Sequence, residues 1–214
     1  MIAKVAIIDS GMGNFRSVYA AIGKIGGQPE LVNSAAQLKH YDRVILPGVG
    51  SFNTAMNALK QKGLYEAILS FIDLERPLLG ICLGMQLLME SSEEQAVTQG
   101  FGLFQGRVKK IPDQLPCGSH NKVPHIAWQQ LHSSENVTEA GKLMCKGLKG
   151  AEYAYFLHSY QVKLANDDNM LFQCHYNGLP IIAALAKDNV YGLQFHPEKS
   201  GETGLCLLKN FLLI

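Results

Sequence analysis

Short apolar runs alternate with stretches of helical spacing along the first half of the chain. The run Lys4–Asp9 has the continuous apolar character of a buried strand, and apolar residues at helical spacing follow it over Asn14–Gly26. The alternation continues through strand-like runs at Glu30–Val32, Arg43–Leu46 and Pro77–Ile81 and helical stretches at Ser51–Lys60 and Leu64–Leu74. Strands that alternate with helices predict a mostly parallel sheet flanked by helices.

The pattern changes after about Phe101, where strand-like runs follow one another closely. A hairpin is predicted where two such runs meet at Lys187-Asp188-Asn189, and an apolar helix at Glu202–Leu213 ends the chain. The other runs are Gly106–Ile111, Tyr155–Leu164 and Met170–Tyr176. Without a repeat or a linker, we expect one α/β domain over residues 1–214, with antiparallel strands added to the parallel sheet.

Composition excludes several classes of function. The 214 residues are 47% hydrophobic and 17% charged with a formal net charge of +1, and the longest basic run is Lys109-Lys110, so nucleic acid is not an expected partner. No apolar run approaches the ~20 residues needed to cross a bilayer. The five cysteines are scattered without a CxxC pair, which indicates reduced thiols in a cytoplasmic protein and neither a disulfide framework nor a zinc site.

One cysteine stands in an unusual frame. The stretch LGICLGMQL has a strand-like run that ends at Ile81 and a helical run that begins at Leu83, with Cys82 between two glycines. A lone apolar cysteine is most simply a small core residue. However, the G-x-C-x-G frame at a strand-to-helix junction is typical of a nucleophile elbow, in which the glycines allow a tight crossing. A thiol at a helix N-terminus also favours the reactive thiolate.

A base for that nucleophile is available in LQFHPEKS. His196 and Glu198 are two residues apart, so in an extended segment their side chains project to the same face. Each alone could be an ordinary surface residue. With the elbow, His-x-Glu supplies a general base and the group that orients it, which favours acyl transfer.

A glycine-containing loop, LPGVGSF at 46–52, follows a predicted strand and could turn backbone N–H groups toward an oxyanion. It could equally be an ordinary turn. Two other patterns carry no site. SGMGNFRS has Arg16 where a dinucleotide fingerprint needs its third glycine, and the spacing of His120, His125 and His132 does not suit a metal.

The motifs GICLGMQLL and QFHPE together resemble the class I glutamine amidotransferases. Within that family, the segments IDSGMGNFRSV, LPGVGSF, KVPHIAW, YFLHSY and LQFHPEKSG are similar to those of the glutaminase subunits of imidazole glycerol phosphate synthases. The resemblance implies hydrolysis of glutamine to glutamate and ammonia, with ammonia passed through a tunnel to a separate (β/α)₈ cyclase in histidine biosynthesis. It implies no cofactor and no metal.

The resemblance also implies roles for individual residues. Cys82 would be the nucleophile, His196 the general acid/base and Glu198 the group that orients it. Val49 and Leu83 would supply oxyanion-hole amides, the first after a flip of the backbone at Pro47–Gly50. Glutamine would be held by Gly50, Gln86, His158, Ser159 and Tyr160, and the cyclase would be met by Asn14, Trp128 and Lys199.

Three positions depart from that pattern, namely Ser10, Ala127 and Gln129, where tyrosine, glycine and asparagine are usual. They leave open which synthase is served, and a subunit that feeds another synthase, such as one that aminates a surface sugar, is the nearest alternative. A catalytically silent binding protein on the same scaffold would have lost part of the Cys-His-Glu trio, which is complete here. A peptide-cleaving cysteine hydrolase would need local signatures that this sequence lacks.

Overall fold

A large sheet organises the fold of the computed structural model, which describes residues 4–9, 11 and 15–214. In chain order the strands of the protein are β1 (Lys4–Ile8), β2 (Gln28–Val32), β3 (Arg43–Gly48), β4 (Leu78–Cys82), β5 (Met89–Ser92), β6 (Thr98–Gln99), β7 (Phe104–Lys110), β8 (His125–Gln130), β9 (His132–Ser133), β10 (Tyr153–His158), β11 (Tyr160–Leu164), β12 (Met170–Tyr176), β13 (Leu179–Lys187) and β14 (Val190–Leu193). The order of strands in the large sheet is β2-β1-β3-β4-β14-β13-β12-β9. The strands from β2 to β14 in that order are parallel, and β13, β12 and β9 extend the sheet antiparallel.

Helices cover both faces of the large sheet. The helices are α1 (Phe15–Lys24), α2 (Ala35–Leu38), α3 (Phe52–Gln61), α4 (Leu64–Asp73), α5 (Leu83–Leu87), α6 (Glu139–Met144) and α7 (Gly201–Leu213), with a 3₁₀ turn at Pro197–Lys199. Apolar side chains of the strands divide into two core clusters, one packed against α1 and α7 and the other against α3 and α4. Among the described residues, no helix is both long and apolar enough to cross a membrane.

The predicted α/β class with added antiparallel strands is confirmed, and the hairpin at Lys187-Asp188-Asn189 joins β13 to β14. The single run predicted over Tyr155–Leu164 is wrong. It is two strands that separate at Ser159 and pair in different sheets, β10 with β8 and β11 with β7. The physical reason is that the backbone bends at Ser159, which lines a cavity. The residues on both sides have strand-like composition, but the bend divides them into two strands.

The strand β8 is absent from the sequence expectation. It pairs antiparallel with β10, and the two form a separate two-stranded sheet in the register Leu157↔Ile126 and Tyr155↔Trp128. One face of this sheet packs inward through Ala154 and Phe156. Because side chains alternate along a strand, the opposite face carries the neighbouring apolar residues outward.

Candidate active site

A cavity of about 340 Å³ opens where β3, β4 and β14 end. Carboxyl ends of parallel strands lie at one edge of a sheet, so the loops that follow them meet there. Every residue that the sequence assigns to catalysis, the oxyanion hole or glutamine binding lines this cavity except Glu198, which lies behind His196. The lining consists of Val49, Gly50, Cys82, Leu83, Gln86, Glu94, Leu157, His158, Ser159, Tyr160, His196 and Lys199.

Cys82 lies on a sharp strand-to-helix turn. It ends β4 and caps α5 with φ 55° and ψ −111°, a conformation that an L-residue adopts only when its surroundings hold it there. Both flanking glycines permit the crossing. A Cβ on Gly84 would overlap the carbonyl oxygen of Leu46 in β3, and one on Gly80 would come within 2.7 Å of the Gly84 carbonyl. The expected reason for the two glycines is therefore confirmed.

His196 is held by a buried carboxylate. Its Nδ1 lies 2.9 Å from Oε1 of Glu198, and the two side chains are only 7% and 1% exposed. Because a carboxylate accepts, Nδ1 carries the hydrogen and Nε2 is the ring nitrogen left for Cys82. The extended geometry expected for this pair is wrong. β14 ends at Leu193, and Glu198 reaches the ring from the 3₁₀ turn that Pro197 begins.

The protonation of His196 reflects its two neighbours. Burial lowers the pKa of the imidazole, but hydrogen bonds with Cys82 and Glu198 and their negative charges outweigh burial and raise that pKa to about 9. Near neutral pH the ring therefore carries a proton that it can give to a leaving group. A thiol beside a proton-bearing imidazole, itself oriented by a carboxylate, is the arrangement needed for nucleophilic catalysis.

Two neighbouring histidines support another part of the cavity wall, where His158 lines the cavity and His125 is fully buried beside it. His158 Nδ1 lies 2.8 Å from the Tyr160 carbonyl oxygen, and its Nε2 lies 3.0 Å from Nδ1 of the fully buried His125. Both ring nitrogens of His158 are thus engaged within the protein, so a ligand would meet the backbone of this segment. Burial, together with the charge of His196, lowers the pKa of His158 to about 4, although the Tyr160 bond opposes the shift. Burial lowers that of His125 to about 3, with His158 contributing.

Two further residues at the site escape the sequence analysis. Glu94 lines the cavity, and its Oε2 accepts a hydrogen bond of 2.8 Å from the Phe52 N–H, the first residue of α3. Gln194 is fully buried, with Oε1 3.0 Å from Gln86 Nε2 and Nε2 3.9 Å from Cys82 Sγ. Gln194 precedes His196 by two residues in LQFHPE, which is a usable signal. Glu94 lies in a polar segment that gives none.

Of the three residues that the sequence assigns to a partner surface, Trp128 and Lys199 both lie beside the ring of Tyr155. Trp128 is 53% exposed and packs edge-on against Tyr155 with ring centroids 6.0 Å apart, while Lys199 Nζ lies 5.8 Å from the centre of the same Tyr155 ring. Lys199 also lines the cavity. Asn14, and the departure at Ser10, lie outside the described residues. Within the part of the chain that is described, no cluster of side chains has the composition of a metal site.

The comparison with known families agrees with this geometry. The model of the family described as glutamine amidotransferase class-I matches residues 6–214, and the chain belongs to that family.

Curated relatives define the similarity more narrowly. A protein named imidazole glycerol phosphate synthase subunit HisH from Caldanaerobacter subterraneus subsp. tengcongensis is 42% identical over 207 residues, covering 97% of this chain and 96% of that protein. Its namesake from a Geobacillus species is 42% identical over 216 residues, covering 98% and 96%. Among solved structures, that of PurLQS from Thermotoga maritima has a TM-score of 0.76 at 21% identity, covering 100% of this chain and 99% of the other, which shows a shared fold.

The buried histidine pair predicts a loss of stability in acid. In the folded protein the pKa values of His125 and His158 lie well below the ~6.5 of an unfolded chain. The unfolded state therefore binds more protons between about pH 4 and 6.5, and the free energy of unfolding should fall as pH falls through that range, by up to about 1.4 kcal/mol per pH unit for each ring.

Urea unfolding at a series of pH values measures this slope. His125→Phe keeps an aromatic ring between Phe156 and Tyr176. In this variant the slope of the free energy of unfolding against pH should decrease by an amount that corresponds to about one proton. The same change at the exposed His40 is the matched control, since that residue lies outside the pair. An acid slope equal in wild type and His125→Phe would contradict a neutral buried ring.

Proposed function

We propose that this chain is the glutaminase subunit of an imidazole glycerol phosphate synthase. It hydrolyses glutamine to glutamate and ammonia and passes the ammonia to a (β/α)₈ cyclase in histidine biosynthesis. One observation carries the glutaminase chemistry, namely that Cys82 on its elbow shares a cavity with an imidazole held by a buried carboxylate. The choice of synthase is supported by the relatives, which match nearly the whole chain at about the same length.

The reaction runs through a thioester on Cys82. The thiolate attacks the side-chain amide carbon of glutamine, and the carbonyl electron pair moves onto oxygen. When this adduct collapses the C–N bond breaks, His196 gives its Nε2 proton to the departing nitrogen, and ammonia leaves. The neutral His196 then takes a proton from water as hydroxide adds to the thioester carbon, and glutamate is released as Cys82 leaves as thiolate.

Backbone N–H groups stabilise the oxyanion. Leu83 begins α5 directly after Cys82, and the first N–H groups of a helix have no partner within it. Val49 follows the last residue of β3, and Gly48 pairs with Cys82 in the β3–β4 ladder, so the loop runs beside the nucleophile. The Val49 N–H belongs to the peptide that joins Gly48 to Val49, and Gly50 follows with φ +97°. A glycine on each side gives this loop the conformational freedom to reorient that amide.

Polar groups at the far wall fit the amino-acid end of glutamine. Both amide hydrogens of Gln86 are used, one by the Tyr160 carbonyl at 2.9 Å and one by Gln194, so its Oε1 can accept from an ammonium group. The carboxylate of Glu94 lies on the same cavity and adds negative charge. The backbone of 158–160 meets the α-carboxylate. The volume lies at the small end of ligand pockets, as an amino acid requires.

The cyclase docks on the outward face of the β8–β10 sheet. This face exposes large apolar side chains beside the cavity, and Leu157 belongs to both. Large apolar side chains that are exposed together beside an active site are typical of an interaction surface. Ala127 and Gln129 pair with the buried Phe156 and Ala154, so these two departures lie on the inward face. The residues of the outward face are Ile126, Trp128, Tyr153, Tyr155 and Leu157.

Residues 1–214 act as one glutaminase domain of the cytoplasm. The five cysteines, all within the described residues, are free thiols, which suits a reducing compartment. Every step of the proposed hydrolysis uses only residues of this chain, glutamine and water.

Replacement of the nucleophile should separate the two activities of the complex. In Cys82→Ala, glutamine-dependent synthesis by the complex should fall at least about a thousandfold, because no other group can form the thioester. Synthesis from added ammonium should persist, since the cyclase is untouched. Cys117→Ala removes an exposed free thiol and is the matched control. Steady-state assays with each nitrogen source measure both quantities.

Substantial glutamine turnover by the Cys82→Ala protein would contradict the assigned nucleophile. Normal glutaminase activity in wild type, combined with failure to bind or supply the cyclase, would instead point to another synthase as the partner.

The docking face gives a separate prediction. Trp128→Ala should raise the Kd for the cyclase by about tenfold or more, because truncation of a tryptophan that acts as an interface hot spot costs about 2 kcal/mol or more. Leu213→Ala is the control. Leu213 is 74% exposed, and its neighbour Ile214 lies beside Pro77 and Asn189 at the opposite ends of β4 and β14. Titration calorimetry measures the Kd of each variant for the cyclase. Equal Kd values for Trp128→Ala and Leu213→Ala would contradict docking on the β8–β10 face.

A further inference from the structure

Two buried amide side chains lie beneath the nucleophile. Gln86 comes from α5, and the fully buried Gln194 directly follows β14. Gln194 is fixed by its own backbone, whose N–H donates to the Ala183 carbonyl of β13 at 2.9 Å. Its side chain spans the gap between Gln86 and Cys82. The mechanism above uses Gln194 only as the hydrogen-bond acceptor for Gln86.

The direction of the hydrogen bonds through these amides is determined by one backbone carbonyl. The Tyr160 oxygen can only accept, so the group of Gln86 that lies 2.9 Å from it must be the NH₂. The second hydrogen of that NH₂ points to Gln194 at 3.0 Å, where the acceptor must be Oε1. The NH₂ of Gln194 therefore faces the sulfur of Cys82, at 3.9 Å. A reversed Gln86 amide would place its oxygen against the Tyr160 carbonyl oxygen, and a reversed Gln194 amide would place its NH₂ against the NH₂ of Gln86.

A second hydrogen bond keeps the Tyr160 carbonyl in position. His158 Nδ1 lies 2.8 Å from the same Tyr160 oxygen, and it donates for the same reason. A carbonyl has two lone pairs, and here both are used. The neighbouring ring of His125 supports His158 from behind at 3.0 Å. The acceptor that orders the two amides is thus itself held from two sides.

The surroundings of the sulfur make a donor valuable. Besides His196 and Gln194, the sulfur has the Leu157 carbonyl oxygen as a polar neighbour, also at 3.9 Å, which can accept from the S–H of the thiol. Once the thiol is deprotonated, that oxygen faces a negative charge and opposes it. A hydrogen-bond donor on the sulfur favours the charged form, because it lowers the pKa of the group that it contacts.

We propose that Gln194 is a catalytic residue that donates an N–H to the sulfur of Cys82. The contact stabilises the attacking thiolate, and it does so again when the thiolate leaves the γ-glutamyl thioester. Gln86 acts in addition as a positioning residue, since it fixes which end of the Gln194 amide meets the sulfur. This inference deepens the proposed function and rests on it only in taking Cys82 as the nucleophile.

The charged and titratable groups around the sulfur stay the same when Gln194 alone is replaced. They are His196 beside the sulfur with Glu198 behind it, and Glu94, His158, Tyr160 and Lys199 around the cavity. A change in the ionisation of Cys82 in a Gln194 variant therefore reports the lost donor.

Alkylation of Cys82 by iodoacetamide as a function of pH tests the proposal in the isolated full chain. The comparison is Gln194→Met, which keeps the length of the side chain and removes both polar groups, with Gln161→Met, the same change at another buried glutamine. Mass spectrometry of the peptide that contains Cys82 separates it from the other thiols. In Gln194→Met the pH midpoint should rise by about half to one unit, with the rate below the midpoint lowered about 3- to 10-fold.

Kinetics add a readout that a purely structural role would not move. With the partner bound, Gln194→Met should lower kcat for glutamine by a similar factor and leave KM within about twofold, because the Tyr160 carbonyl still holds the NH₂ of Gln86 and leaves its Oε1 for the substrate. Gln161→Met should keep the wild-type midpoint and the wild-type kcat.

Nuclear magnetic resonance of the wild-type protein keeps the proposal testable if Gln194→Met fails to fold. The side-chain NH₂ signals of Gln194 should shift over the pH range in which Cys82 ionises, and this shift should vanish in Cys82→Ser. An unchanged alkylation midpoint in a folded Gln194→Met protein, or NH₂ signals that ignore the ionisation of Cys82, would overturn the proposal. Neither measurement needs glutamine turnover or the cyclase, so its outcome is independent of whether those parts of the proposed function hold.

Discussion

The conformation of Cys82 is the constraint on which the rest of the site depends. A residue with φ 55° outside glycine costs about 1–3 kcal/mol and persists only where packing holds it. Here β4 is hydrogen-bonded on both sides, to β3 and to β14, and every residue of β4 is buried. Gly80 and Gly84 let the short α5 cross directly over these strands. The sheet thereby directs one sulfur into a cavity that the following loops complete.

The other parts of the site extend from this position in opposite directions. On one side His196 and Glu198 form a buried pair in which the imidazole pKa is raised to about 9, as the proposed proton donor requires. On the other, the Tyr160 carbonyl receives His158 and Gln86, and through Gln86 it orders Gln194 beneath the sulfur. Leu157 has its carbonyl oxygen 3.9 Å from the sulfur and its side chain on the outward face of the β8–β10 sheet, so the proposed chemistry and the proposed docking face share one strand.

The parts of the fold that local pattern specifies were predictable. Buried parallel strands are visible as continuous apolar runs. The two glycines around Cys82 lie within five residues of sequence, and they indicate the tight crossing of strand and helix at that point. The division at Ser159 was not predictable in this way, because both flanking strands have strand-like composition and only their separate partners, β8 and β7, distinguish them. Glu198 pairs with His196 as expected, although the 3₁₀ turn that brings it there depends on the packing of the loop.

The site residues that escaped prediction depend on contacts between distant segments. Gln194 lies 108 residues from its partner Gln86 and 112 from Cys82, and its orientation depends on a carbonyl in a third segment. Glu94 meets the N–H of Phe52, 42 residues away. Single-sequence periodicity describes which face of an element is buried, but it carries no information on which distant polar atoms come within 3 Å.

The central claim is that nitrogen released at Cys82 reaches the cyclase without entering solvent. It is tested most directly by supplying the complex with glutamine labelled with ¹⁵N in the side-chain amide, in the presence of a large excess of unlabelled ammonium, at a pH where ammonium is a poor cyclase substrate. The account predicts that the imidazole product carries ¹⁵N in proportion to the glutamine consumed. Product that carries the isotope ratio of the bulk ammonium pool would contradict it.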